Sequence, residues 1–240
     1  MKLKKIYDFL DEISPFELQE EWDNSGILVG SLDEKIEKIY LSLDLDEEII
    51  EKADENSLII AHHPLIFKPL KNVVPSSFST KLLIKLIKKN ISFISMHTNF
   101  DKTHLNRYVA EEVLGLKGES REFVYLSEME EDFDVFAKQI QKKLGLECVK
   151  FVKCHDRIKK VALTTGAGMS LLPYIKADLF LTGDIKYHEA MDAKIRGISL
   201  IDIGHYESER FFVDVLYENI KDLNVQIIKT NSQNPFAYSF

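Results

Sequence analysis

Short apolar runs alternate with stretches of helical periodicity along the chain. The runs at 26–29 (GILV), 58–61 (LIIA), 91–96 (ISFISM), 160–165 (KVALTT), 178–182 (DLFLT) and 198–203 (ISLIDI) show little polar alternation. Strands of that kind are covered on both faces. Further strands are predicted at 37–43, 123–127, 148–153 and 225–229. Between the strands, apolar residues recur at helical spacing and predict helices over 3–12, 46–55, 79–89, 103–114, 131–144, 169–176, 186–195 and 206–220. The alternation predicts an α/β fold with mixed, largely parallel sheets flanked by helices.

The polar stretch KGESRE at 117–122 predicts a boundary, giving an N-terminal lobe at 1–120 and a C-terminal lobe at 121–240. The lobes share a pattern. NISFISMHTNFD and GISLIDIGHYESE each carry a strand, then a histidine, then a carboxylate four residues on: His97 with Asp101, and His205 with Glu209. LIIAHHP and LFLTGD precede them as similar strands. Either the halves are a weak duplication, or βα units simply resemble one another. A duplication would set two strand ends across one cleft, the expected place for a site.

Composition narrows the picture. Apolar residues make up 45% and charged residues 29% of 240 residues, as in soluble globular proteins. No apolar run approaches the roughly 20 residues needed to cross a bilayer. The opening MKLKKIYDFLDEISPF reads as an amphipathic helix and not a signal peptide, so a cytoplasmic protein is expected. Cys148 and Cys154 fit neither a zinc knuckle nor a redox pair and read as reduced, structural residues. The formal charge of −8 argues against nucleic acid as a partner.

The histidines carry the candidate chemistry. His62, His63, His97, His188 and His205, five of seven, lie in or just after predicted strands, where ligands of parallel sheets gather. Neighbouring strand residues point to opposite faces, so His62 and His63 would not share one ion without distortion. Each ring serving one ion of a close pair is one solution, since paired ions sit about 3.5–4 Å apart. The structural alternative is one buried and one exposed histidine. His205 and Glu209 share a helical face, good geometry for one ion, or else a carboxylate placed near a helix N-terminus. Glu207 would point elsewhere. Asp101 either caps the next helix or bridges two cations. His97 is a ligand or a group that orients one. Trp22 in WDNSGILVG is expected in the core, with Asp23, Asn24 and Ser25 as a polar turn. TTGAGM (164–169) is a phosphate-holding loop or only a tight turn. TGDIKYHEA offers Asp184, Lys186 and His188 for substrate contact or proton transfer.

Taken in order, WDNSGILVG, AHHPLIF, HTNFD, TGDIKYHEA and GHYESE resemble the dinuclear-metal-centre hexameric proteins labelled GTP cyclohydrolase 1 type 2 homologues. The resemblance runs from Trp22 to the NPF at 234–236. It implies a two-lobed α/β protein, a toroidal homohexamer, and two divalent metal ions per subunit. The implied metal ligands are His62, His63, Asp101, His205 and Glu209. About 85 residues separate Asp101 from His188, so the inserted middle domain of longer members is absent. The nitrogen and oxygen ligand set suits zinc, iron, manganese, cobalt or nickel without choosing among them. The implied activity is a metal-dependent hydrolase acting on GTP or another nucleotide: hydroxide attacks guanine C8, the ring opens and formate leaves, with His97 or His188 moving protons. A phosphohydrolase and a non-enzymatic metal-binding or metal-delivery scaffold remain the alternatives.

Overall fold

The computed structural model describes residues 1–230, 232–237 and 239. Among these, the strands are β1 Gly26–Val29, β2 Lys38–Ser42, β3 Leu58–Ala61, β4 Ser92–Ser95, β5 Gly118–Arg121, β6 Val124–Asp132, β7 Lys150–Val152, β8 Arg157–Leu163, β9 Leu179–Thr182, β10 Ser199–Asp202 and β11 Gln226–Lys229. They build two sheets, one in each of two units.

The first unit comprises Met1–Phe100 and Phe212–Gln233. Its sheet runs β1-β4-β3-β2-β11. Only β1 is antiparallel to its neighbour; the other pairs are parallel. Tyr40, Ile59, Ala61 and Phe93 on one face meet Ile49 and Ile50 of helix Glu47–Lys52 and Leu82, Leu83 and Leu86 of helix Phe78–Lys88. The alternate residues Ile39, Leu41, Leu58, Ile60 and Ile94 point to the other face and are also fully buried. That double burial is why these strands read as unbroken apolar runs. Helix Phe212–Ile220 packs on β2 and β11. Caps fix the helix starts: Asp46 accepts from the Ile49 N–H, and Ser77 exchanges hydrogen bonds with Thr80. Each such cap contributes about 1 kcal/mol.

The second unit comprises Asp101–Phe211 with the segment from Asn234 onward. Its sheet runs β5-β6-β8-β9-β10-β7. The central pairs β8–β9 and β9–β10 are parallel, while β5, β6 and β7 join antiparallel. Ala162, Phe180 and Leu200 on one face pack with Met169, Leu172 and Ala193. Helix Phe133–Leu144 buries Phe133, Phe136, Ile140 and Leu144; burying one such phenylalanine or leucine contributes roughly 2 kcal/mol.

The expected α/β fold with two mixed sheets is the observed one. Its second sheet is less parallel than expected, because β6 pairs antiparallel with both β5 and β8 and β7 adds antiparallel at the other edge. The units divide after Phe100 and not near residue 120, and the last helix and strand return to the first unit. The polar stretch at 117–122 is instead the start of a hairpin, β5 pairing with β6. The helix expected at 169–176 is a 3₁₀ helix at Gly168–Tyr174, consistent with Pro173 inside it. The helix expected at 206–220 is two, His205–Glu209 and Phe212–Ile220. The helical stretch expected from 103 begins at Thr98 and contains π-helical turns at Asp101–Leu105 and Val109–Val113.

Candidate metal centre

In the first unit, β3 and β4 are parallel neighbours, and their carboxyl ends carry His62-His63 and His97. Both His62 and His63 N–H groups donate to the Leu43 carbonyl, at 3.1 and 3.3 Å. One acceptor for two successive donors is the sharp exit from the strand, and it lets both rings lie on one side. Their centroids are 5.0 Å apart, and His97 lies 5.0 Å from His62 and 5.4 Å from His63. One ring nitrogen from each of the three lies within 4.8 Å of the others, a group able to hold a metal ion.

Each ring is fixed through Nδ1. His62 Nδ1 lies 2.8 Å from the Met96 carbonyl, which only accepts, so this nitrogen carries the proton. His63 Nδ1 meets Asp44 at 2.7 Å and His97 Nδ1 meets Asp23 at 2.8 Å. An imidazole held this way presents Nε2 as its ligand nitrogen, the arrangement that orients histidines at metal sites.

Asp23 does more than hold His97. Its second oxygen accepts from the Thr98 N–H at 3.1 Å, the Thr98 hydroxyl at 2.6 Å and the Ser25 hydroxyl at 3.0 Å. The side chain is fully buried. Burial alone would raise its carboxyl, but the hydrogen bond and charge of His97, with Thr98 and the Asn24 N–H, hold it well below the usual carboxylate range.

In the second unit the same motif recurs at β9 and β10. Asp184 follows β9 and His205 follows β10. His205 Nδ1 lies 2.7 Å from Asp184 and its Nε2 lies 3.0 Å from Glu209. The four-residue helical spacing therefore brings His205 and Glu209 together. Burial works to lower the His205 pKa, but Glu209 and Asp184 outweigh it and push it up to about 10. An imidazolium satisfies both carboxylates; a cation replacing the Nε2 proton satisfies them equally. Glu207 turns away and accepts from Asn234 at 2.7 Å.

The glycine turn TTGAGM supports this cluster. Gly166 has φ +59, and a Cβ there would overlap the Glu209 carboxylate. Its N–H donates to Ser208 at 3.0 Å, and its neighbour Thr165 donates to Asp101 at 3.5 Å and Asn106 at 2.9 Å. The turn makes room for Glu209. Asp101 is buried and lies within the helical stretch, so it is not the cap of a following helix. A π turn beginning at a functional candidate is a recurrent association.

Other expectations fall differently. His188 is exposed on helix Tyr187–Ile195, edge-on to Tyr187 at 5.3 Å, and takes no part in the hydrogen bond that joins His205 to Asp184. Trp22 is 56% exposed and not in the core; it stacks on Phe67. Cys148 and Cys154 form no disulfide.

The sequence matches the family described as Duf34/NIF3 (NGG1p interacting factor 3) over residues 1–235. The chain belongs to the NIF3 family. A Campylobacter jejuni relative named GTP cyclohydrolase 1 type 2 homolog is 49% identical, over 99% of this chain and 100% of the relative. A Helicobacter pylori protein named GTP cyclohydrolase 1 type 2 is 42% identical over 97% of each chain. Among solved structures, a hypothetical protein of Staphylococcus aureus superposes with TM-score 0.87 at 27% identity, covering 100% of this chain and 99% of that one. Reduced HcgD from Methanocaldococcus jannaschii gives 0.82 at 28% identity over 95% and 97%.

What sequence reasoning missed in this NIF3 chain is the set of anchors. Asp44 was not singled out, although it follows β2 at the same sheet end as His62. Asp23 and Asp184 were noted without their role as Nδ1 partners. For Asp44 and Asp184 the available signal was an acidic residue just past a neighbouring parallel strand; Asp23 instead precedes β1, the antiparallel neighbour of β4.

Proposed function

We propose that the protein is a dinuclear metal-dependent hydrolase acting on GTP or a related nucleotide. Its metal ligands are His62, His63, Asp101, His205 and Glu209, and His97 moves protons. The observation that carries this reading is the common anchoring of four imidazoles through Nδ1, which commits Nε2 of each to ligand or proton work. The donor set of nitrogen and oxygen suits a divalent transition ion. Such an ion supplies Lewis acidity and makes water a nucleophile near neutral pH. His62 and His63 present ligand nitrogens from one strand end. Asp184 and Asp44 hold the rings of His205 and His63 in orientation. His97, backed by the buried Asp23 carboxylate, holds its proton on Nδ1 and can exchange one at Nε2. The substrate class comes from the names of the relatives; the homohexamer and cytoplasmic location stay with the same reading. Among the described residues, no helix is long and apolar enough to cross a membrane.

The test is elemental analysis of untagged protein beside His62→Ala/His63→Ala and Glu209→Gln, with formate release from GTP measured on the same samples. Two ions per chain, lost in the variants together with formate, is the expected result. Bound metal without formate leaves metal delivery as the function. No metal after loading overturns the metal reading itself.

A further inference from the structure

We propose that the first unit carries a binding site for a planar heterocycle with a phosphate arm, in which Trp22 and Phe67 receive the ring and Lys68 and Lys71 receive the phosphate. The substrate link rests on the hydrolase reading above; the geometry stands without it. Trp22 and Phe67 are 56% and 44% exposed, yet they stack on each other at 5.6 Å and 20°. Both stand edge-on to His97, at 5.9 and 5.8 Å. An exposed aromatic pair at the rim of an imidazole cluster is a stacking surface, and stacking of a base on such a ring is worth about 1–3 kcal/mol. The pair is held in place: the Asn24 side chain donates to the Ile66 carbonyl at 2.5 Å, tying the Trp22 turn to the Phe67 loop.

Phe67 also borders an open surface depression of about 440 Å³, lined in part by the exposed Lys68, Lys71, Ser76 and Ser77 and by the half-buried Ser79. Its size is that of a small-molecule pocket. No aspartate or glutamate lines it, in a chain of formal charge −8. Among the described residues neither lysine is in an ion pair. Two unpaired cations with the Ser76 and Ser79 hydroxyls complement an anion with several acceptor oxygens, which is a phosphate or polyphosphate, while Ser77 stays committed to its cap on Thr80. Because Phe67 belongs to both features, ring surface and phosphate depression adjoin, and one nucleotide spans them.

Trp22 is the sole tryptophan, so its emission reports the ring directly. The experiment is fluorescence titration of the full chain, chelated and metal-loaded, with GTP, guanosine and tripolyphosphate. GTP and guanosine should quench saturably. Lys68→Ala/Lys71→Ala should weaken GTP roughly tenfold or more and leave guanosine unchanged. Phe67→Ala should weaken both about fivefold or more. The lysines are exposed, so unchanged circular dichroism is expected in the double variant. Absence of saturable quenching by GTP, or equal GTP affinity in the lysine variant, overturns the proposal. Metal and formate found alongside either result leave the hydrolase reading intact. Quenching with the expected lysine dependence in a chain that takes up no metal sustains this site and removes the hydrolase.

Discussion

Asp23 illustrates how much one side chain carries. It fixes His97, starts the helical stretch at Thr98 and holds Ser25, all from a buried position. Asp23→Ala leaves the His97 Nδ1–H and the Thr98 N–H without their acceptor, and removing one partner of such a pair costs about 3–5 kcal/mol. Urea unfolding at neutral pH should show that loss. The sign of the pH dependence follows from the lowered carboxyl. The stabilisation is fully present above the ordinary value of 3.8 and disappears as pH falls through the lower folded-state value. The wild type should therefore lose stability steeply in acid, and the alanine variant less steeply. Gly166 is the second such residue. Gly166→Ala places a methyl group on the Glu209 carboxylate at φ +59, so Glu209 must move. A drop of about 1–3 kcal/mol is expected from strain and displacement together. The matching expectation for the site is reduced metal uptake by elemental analysis. The candidate ligands were legible because histidines and carboxylates collect after apolar runs. Asp44 was not, because nothing local distinguishes a carboxylate that holds a ring from one that meets solvent.

At the level of elements, the buried strands were the most legible feature. Double-sided burial leaves β3 wholly apolar and confines polar residues to the ends of β9 and β10, and the apolar runs follow directly. The π turns were not legible, since an extra residue in a turn leaves the apolar spacing nearly unchanged. The break between His205–Glu209 and Phe212–Ile220 was hidden for a similar reason: Phe211, Phe212 and Val213 continue the pattern across it. Helix Phe133–Leu144, expected over 131–144, is bounded by Asp132 at its start and Gly145 at its left-handed end. Asp132 accepts from the Asp134 and Val135 N–H groups at 2.9 and 3.1 Å. Asp132→Ala should lower stability by about 1 kcal/mol, with metal content unchanged. Thermal unfolding read by circular dichroism measures it.

For the whole molecule, the decisive feature is the return of the chain. β11 pairs in parallel with β2, completing a sheet begun nearly two hundred residues earlier. Alternating apolar runs could announce the strand but not its sheet, because parallel pairing has no local signature. A fragment of residues 1–100 lacks β11 and helix Phe212–Ile220, and with them the packing of Phe212, Leu216 and Ile220. It should show no cooperative unfolding transition by circular dichroism. Joining 212–233 to it through a flexible linker should restore one.

The same return has a consequence during synthesis. A chain is made from its N-terminus, and domains generally fold as they emerge. Here residues 1–100 emerge before helix Phe212–Ile220 and β11, which complete their unit, and 101–211 emerges between them. The half with the His62-His63 pair is thus born early and finished late. In that interval its unpaired β2 edge is the surface most in need of a chaperone.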